Sequence, residues 1–249
     1  MARLAVVTGG NTGIGRDLVK AFAADGYEVA FTYVADPDAA HSLEHEVTAT
    51  GFPCDAGDEE AVPALYETLR ERFGCAPDVL VNNAGIQTWA PLLELSVERW
   101  DAVMRTNLRG CFLNTQAAAR EMIADGKGGA IINIGSGCNK VAFPNLVDYT
   151  ASKGGIEQFT KISAVELGSH GIRVNCVAPG AILNARTAEE SPDYAARWSR
   201  ITPLARVGTG EDIAGPVLFL AGPAASFVTG QTLWVDGGLF TRAPWADEV

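Results

Sequence analysis

At 249 residues, with 47% hydrophobic and 20% charged side chains, the chain has globular composition and material for one large α/β domain or two small ones. Its 19 Lys and Arg face 30 Asp and Glu, a net charge of −11, which argues against nucleic acid or an anionic membrane surface as the main partner. A small anionic ligand needs only a local site and stays open.

Leu4 to Thr8 is a short apolar run ending in Thr8-Gly9-Gly10-Asn11-Thr12-Gly13-Ile14-Gly15, and a helical pattern follows through Leu18, Val19, Ala21 and Phe22 to Asp25-Gly26. Strand, glycine-rich turn and helix make the first half of a dinucleotide-binding unit. The glycines let backbone N–H groups approach a pyrophosphate, and the helix N-terminus offers partial positive charge. Tyr27 to Val34 reads as the second strand, and Pro37 starts a helix over Asp38 to Val47. A brief third strand ends at Phe52-Pro53-Cys54-Asp55, and Asp58-Glu59-Glu60 opens a helix to Phe73-Gly74. Val79-Leu80-Val81 is a strand leading into Asn82-Asn83-Ala84-Gly85. Ser96 caps one long helix containing Trp100, Val103, Met104, Asn107, Leu108, Cys111 and Phe112.

Ala130 to Ile134 is a strand buried on both faces, ending at Gly135-Ser136-Gly137. The helix carrying Tyr149 runs to about Gly168, and Ile172 to Val177 is a strand that stops at Ala178-Pro179-Gly180. Residues 181–206 lack clean periodicity apart from a helical stretch at Tyr194 to Arg200. Glu211-Asp212 starts a helix to about Leu220, and Gln231 to Val235 is the last strand, before Asp236-Gly237-Gly238. Strands alternate with helices and no linker or repeat intervenes. The expected fold is one doubly wound α/β domain over residues 1–249, with about seven mainly parallel strands and helices on both faces.

Tyr149 and Lys153 are four residues apart, so on a helix they share one face, one turn apart. An ammonium at ~4 Å from a phenol, with an effective dielectric of ~20, favours the phenolate by ~4 kcal/mol, roughly three pKa units. A tyrosine tuned this way exchanges a proton with an alcohol or a ketone near neutral pH. The five cysteines, Cys54, Cys75, Cys111, Cys138 and Cys176, show no Cys-x-x-Cys pair, which fits free thiols in a reducing cytosol rather than a disulfide frame or zinc site. His41 and His45 have helical spacing but no third ligand nearby, so they read as a polar helix face and no metal is expected. The N-terminus enters a strand without a signal-peptide pattern, and no apolar run spans a bilayer. A soluble, cytoplasmic protein is expected.

The ordered set Thr8-Gly-x-x-x-Gly13-Ile14-Gly15, Asp55, Asn82-Asn83-Ala84-Gly85, Asn107, Ser136, Tyr149-x-x-x-Lys153, Pro179-Gly180 and Asp236-Gly237-Gly238 resembles the short-chain dehydrogenase/reductase family over nearly the whole chain. The resemblance implies a Rossmann-like fold and NAD- or NADP-dependent hydride transfer at an alcohol or carbonyl. It implies Tyr149 as general acid/base, with Lys153 lowering its pKa and bonding the nicotinamide ribose. Ser136 would hold the substrate oxygen, and a hydroxyl suits both alcohol and ketone because it donates and accepts. Asn107 would act through its backbone carbonyl, holding a water of a proton relay. Gly9, Asn11, Thr12, Gly13, Ile14 and Gly15 would surround the phosphates and ribose, and Asp55 would reach the adenine. Asn82, Ala84 and Gly85 would line the opposite wall, with Asn82 also tying the sheet, and Pro179, Gly180 and Ile182 would flank the nicotinamide.

Cofactor choice is less marked. Tyr33, followed by Val34, stands where NAD-preferring relatives place an acid, and Thr12 stands where NADP-preferring ones place a cation. Arg16 lies too far along the helix, and Asp36 would serve NAD if its loop folds back, so the lean is to NAD or dual use. Residues 181–206 match the family's variable substrate lid, and Gly137 to Val147 forms the other wall. Cys138, Asn139, Lys140, Asn145 and Asn184 offer polar groups, while Phe143 and Trp89 are pocket walls or core. With Gly180-Ala181-Ile182 and the aromatic tail, these resemble the glucose-dehydrogenase-like branch and imply a polyol, sugar or small hydroxy-carbonyl substrate. The alternative is a 3-oxoacyl-thioester reductase with a basic entrance from Arg105, Arg109, Lys140 and Arg186. A different class, a dinucleotide sensor without catalysis, would be free to lose Tyr149, Lys153 or Ser136. A dehalogenase relative should carry Arg in place of Lys153, and enoyl reductases use a longer Tyr-to-Lys interval. The resemblance also implies a homotetramer joined through the long helices and last strand, with the tail Leu239 to Trp245 packed on a neighbour.

Overall fold

The chain is described here over residues 3–241 by a computed structural model. Its strands are β1 (Arg3–Val7), β2 (Tyr27–Tyr33), β3 (Ala49–Pro53), β4 (Val79–Asn82), β5 (Gly129–Ile134), β6 (Ile172–Pro179) and β7 (Thr232–Val235), which form one sheet in the order β3-β2-β1-β4-β5-β6-β7. Every pairing is parallel. Parallel neighbours need crossovers, and helices supply them. They are α1 (Gly13–Ala24), α2 (Pro37–Glu46), α3 (Ala61–Phe73), α4 (Val97–Val103), α5 (Gly110–Asp125), α6 (Val147–Leu167), α7 (Ala185–Glu190), α8 (Tyr194–Ser199) and α9 (Gly210–Ala221). The winding reverses between β1 and β4, and a doubly wound sheet opens its ligand crevice beyond the strand ends at such a point.

Alternation along β1 explains why the sheet is buried on both sides. Ala5 and Val7 face a core with Leu18 and Phe22 of α1 and Ile213 and Val217 of α9. Leu4 and Val6 face a second core with Val62 and Leu69 of α3 and Ala118 and Met122 of α5. Each large apolar side chain so buried contributes roughly 1.5–3 kcal/mol. A polar chain crosses the second layer: Asn82 Nδ2 donates to Asn133 Oδ1 and to Thr115 Oγ1, both at 2.9 Å, and Asn133 Nδ2 donates to Thr160 Oγ1 at 2.9 Å. It fastens β4 and β5 to α5 and α6.

Three local expectations change. The long helix from Ser96 is interrupted by a π-helical turn over Met104–Arg109, where the Gly110 N–H donates five residues back to the Arg105 carbonyl. The third helix begins at Ala61, and Asp58 stands ahead of it, accepting from the Glu60 and Ala61 N–H groups at 2.9 Å. Those donors hold the Asp58 carboxyl below its usual range. The stretch read as aperiodic holds α7, started by a reciprocal cap in which Asn184 Oδ1 accepts from Thr187 N at 3.0 Å. A short helix with no buried face leaves no periodicity to read.

Candidate active site

The turn after β1 is a cradle of backbone. A Cβ on Gly15 would lie 2.1 Å from the Gly9 carbonyl oxygen, and one on Gly9, whose φ is +62°, would meet the Ala84 Cα at 3.0 Å. Only hydrogen fits at either position. Thr8 Oγ1 accepts from the Asn83 and Ala84 N–H groups at 3.0 Å. Asn83 Nδ2 donates to the Thr8 and Gly9 carbonyls at 3.0 and 2.9 Å. The β4 loop is thereby clamped to the glycine turn, bringing Ala84 against Gly9 and the Asn83 side chain against Gly15. Thr12 is the N-cap of α1 but its side chain makes no capping bond, so the first turn of the helix beyond Gly13 and Ile14 is open toward a ligand. An anionic pyrophosphate suits such a terminus. On the far side Asn184 Nδ2 comes to 3.9 Å from the position a Gly13 Cβ would take.

The proton-handling candidates gather at the end of β5. Lys153 is 4% exposed and its Nζ donates to the Ile134 carbonyl at 2.7 Å, 5.5 Å from the centre of the Tyr149 ring. Ser136 follows β5 by two residues. Its Oγ accepts from the Cys138 N–H at 3.2 Å, and its own N–H donates to Asn139 Oδ1 at 3.2 Å. Asn107 lies on the π turn, 1% exposed. Its Oδ1 accepts from Ile86 N at 2.8 Å, and its Nδ2 donates to the Ile86 carbonyl at 2.9 Å and to Ser152 Oγ at 3.0 Å. The side chain therefore pins the β4 loop to α6, and a π turn is the device that seats it there. Tyr149 is set by Asp148, whose Oδ1 accepts from the Tyr149 N–H at 2.7 Å and whose Oδ2 is bonded by Thr88.

Other predicted positions are spent differently. Asp36 does not fold back: it sits at φ +57° as N-cap of α2, with Oδ1 accepting from Ala39 N at 3.0 Å. Arg16 is tied to the Asn11 carbonyl at 3.3 Å, to the Ala39 carbonyl at 2.9 Å and to Glu46. Asn11 Nδ2 donates to the Ala35 carbonyl at 2.7 Å, fixing the loop after β2. Tyr33 packs on Phe31 at 6.4 Å between ring centres, and Val34 beyond it is exposed. Asp55 accepts from the Gly57 N–H at 2.9 Å and from Arg105 at 2.7 Å. The Asn82 amide serves the sheet, as described above, so its side chain turns inward. Pro179 and Gly180 cross the end of β7, where a Gly180 Cβ would lie 2.6 Å from the Asp236 Cα. The Ile182 side chain is buried in the α1–α9 core, and its carbonyl accepts from Thr187 Oγ1 at 3.2 Å. A cavity of about 490 Å³ opens between Leu204, Arg206 and Trp234, but neither Ser136 nor Tyr149 lines it. His41 and His45 are exposed, and no metal-binding cluster occurs among the described residues.

Residues 9–240 match the family described as enoyl-(acyl carrier protein) reductase. The 3-oxoacyl-(acyl-carrier-protein) reductase FabG of Staphylococcus aureus is 38% identical over 245 residues, covering 96% of this chain and 99% of that one. A short-chain dehydrogenase/reductase from Serratia marcescens superposes with a TM-score of 0.87 at 35% identity, covering 96% of this chain and 98% of that one. The chain belongs to the short-chain dehydrogenase/reductase family. A gluconate 5-dehydrogenase from Burkholderia cenocepacia in complex with NADP and tartrate superposes at 0.89 with 35% identity, covering 97% and 96%. As a short-chain dehydrogenase/reductase the protein is an oxidoreductase that works with a nicotinamide dinucleotide, NAD or NADP. The glycine cradle, closed to any Cβ, is the feature of this chain that fits such a group. Sequence reading passed over two braces of this short-chain dehydrogenase/reductase. Thr8 and Asn83 lie inside motifs it quoted, yet only the fold shows them bonded to each other across the crevice.

Proposed function

We propose that the protein transfers a hydride between NAD(P) and the carbonyl or alcohol carbon of a polyol, sugar or small hydroxy-carbonyl compound, with Tyr149, Lys153 and Ser136 handling the proton. When bound, the nicotinamide supplies or accepts the hydride. The observation that carries the reading is the position of Lys153. Its buried ammonium spends one N–H on the Ile134 carbonyl and has two more to direct toward Tyr149 and a ribose hydroxyl. In carbonyl reduction the Tyr149 hydroxyl donates its proton to the developing alkoxide, and the ammonium stabilises the phenolate left behind. In alcohol oxidation the proton moves the other way. Ser136 Oγ already accepts from Cys138 N, so its hydrogen is left to donate to the substrate oxygen. Gly9, Asn11, Thr12, Gly13, Ile14 and Gly15 would hold the phosphates and ribose. Ala84, Gly85, Pro179, Gly180 and the Ile182 backbone would flank the rings, with Asp55 at the adenine end. Neither an acid nor a cation stands at the end of β2, which favours acceptance of both dinucleotides.

The 3-oxoacyl-thioester alternative has the FabG relative in its favour. Against it, two of the four expected basic residues are paired, Arg105 with Asp55 and Asp58, and Arg186 at 3.7 Å from Glu190. Arg109 donates to the Gly57 carbonyl, and Lys140 lies over the Trp234 ring at 5.4 Å. The enoyl reaction is set aside on the one-turn spacing of Tyr149 and Lys153. We further propose a cytoplasmic homotetramer. Exposed Phe112 on α5 and exposed Ile162 and Val165 on α6 offer an apolar face to a second copy, and Leu233 is exposed on edge strand β7. The free cysteines fit a reducing compartment. Of the tail, Arg242 to Trp245 lies outside the described residues.

The test is absorbance of the reduced nicotinamide with NADH and NADPH against sugars, polyols, hydroxy-ketones and a 3-oxoacyl thioester. Turnover of the first three classes, with a fall in kcat of about 10²–10⁴-fold for Tyr149→Phe and dinucleotide binding retained, is the expected result. Preference for the thioester selects the alternative. Dinucleotide binding without turnover of anything selects the sensor.

A further inference from the structure

Five aromatic rings from three separate stretches of chain form a row beside these groups. Trp234 on β7 meets Phe240 at 6.4 Å between ring centres, and Phe240 meets Phe143 edge to face at 5.9 Å. Phe143 meets Trp198 of α8 at 6.3 Å, and Trp198 meets Tyr194 at 6.1 Å. The row reaches the candidate site at Gly137. A Cβ on Gly137, the residue after Ser136, would lie 2.2 Å from two carbons of the Phe240 ring. The outer edge of that ring abuts the backbone next to the substrate-holding hydroxyl. At the other end of the row Tyr194 lies on α8, where burial raises its phenol and the Ile182 backbone at its oxygen lowers it. Proton transfer needs none of these rings. They instead offer apolar, uncharged surface beside the backbone that follows Ser136, the pattern of a pocket that orients a ligand by a few polar contacts and sizes it by its walls.

We propose that this row roofs the substrate pocket and that Phe240, delivered from beyond the last strand, is its specificity-determining residue, excluding bulky substituents beside Ser136 and admitting compact hydroxy-carbonyl compounds whose C–H faces lie against the rings. The inference rests on the hydride-transfer reading above. Removing the ring enlarges the space next to Ser136 while leaving Tyr149, Lys153 and the glycine cradle in place.

The experiment compares kcat/KM for acetoin and for benzil, a compact and a bulky ketone, in wild type, Phe240→Leu and Phe240→Ala. The ratio of benzil to acetoin is expected to rise at least about tenfold in Phe240→Ala, with Phe240→Leu between, and with the dinucleotide KM unchanged. Gly137→Ala supplies a second perturbation, since its Cβ must push the ring away. Its loss of acetoin turnover is expected to be relieved in the Gly137→Ala/Phe240→Ala double variant, a non-additivity that a merely local defect at Gly137 would not produce. Wild-type turnover with an unmoved ratio in both Phe240 variants, or strictly additive losses in the double variant, overturns the roof alone. A wild type inert toward the whole panel overturns the hydride-transfer reading, and the roof with it.

Discussion

A Cβ at Gly15 would sit 2.1 Å from a carbonyl oxygen and 2.6 Å from Asn83 Nδ2, so backbone would have to move on one side and the loop clamp on the other. Gly15→Ala is expected to weaken dinucleotide binding at least about tenfold, read by fluorescence titration, with stability reduced as well. Residues of this kind were legible from sequence because their chemistry is tied to type and spacing: a glycine at a turn, a lysine one helical turn from a tyrosine. Asp36 was not legible. Read in sequence, an acid just after the second strand is a ribose ligand or a helix cap with equal right. The choice falls to the cap because Pro37 starts α2 immediately after it and the Ala39 N–H needs an acceptor. Ser136 and Asn139 illustrate the same limit, since a hydroxyl in Gly-Ser-Gly discloses its type but not the cap that aims it.

Among elements, the weakest substitution point is the polar chain between strands. Asn133 is fully buried, accepts from Asn82 and donates to Thr160. Asn133→Ala removes one bond from each of Asn82 and Thr160 in the second core layer and leaves a cavity, and a loss of roughly 2–4 kcal/mol in urea unfolding is expected. The start of α9 carries a pH dependence. Arg206 bonds both oxygens of Asp212 at 2.7 Å and the Thr209 N–H donates to it at 2.8 Å, holding the Asp212 carboxyl well below the carboxylate range. A depressed folded pKa stabilises above the ordinary value of about 3.9 and is lost as pH falls below it. The pair is partly exposed, so the contribution is screened and small. The urea midpoint is expected to drop between about pH 5 and about pH 3, and Asp212→Asn to show a smaller drop. The π turn in the helix from Ser96 escaped sequence reading because its apolar positions keep helical spacing on either side, and a single shifted bond leaves no trace in composition. The order of strands and helices was readable outside residues 181–206, since most strands are apolar runs closed by Gly, Pro, Asn or Asp.

For the whole molecule, the apolar face of α5 and α6 predicts assembly. Ile162 is 53% and Val165 77% exposed in the single chain, a poor arrangement for a helix with no neighbour. Sedimentation is expected to give four times 26.2 kDa for the wild type, and Ile162→Glu to shift it to smaller species; a wild type at 26.2 kDa rejects the tetramer. The part of the molecule that sequence described least is residues 181–206, where two short helices have no buried residues and their rings meet others only in three dimensions. One feature of β5 gives that arrangement a wider meaning. The carbonyl that anchors the Lys153 ammonium belongs to Ile134, the last residue of β5, and the hydroxyl that would grip the substrate belongs to Ser136, two residues further on. Neither group belongs to residues 181–206. Foreign lids should thus be transplantable onto this chassis, each rewriting the menu of compounds accepted while the proton relay beneath keeps its own time.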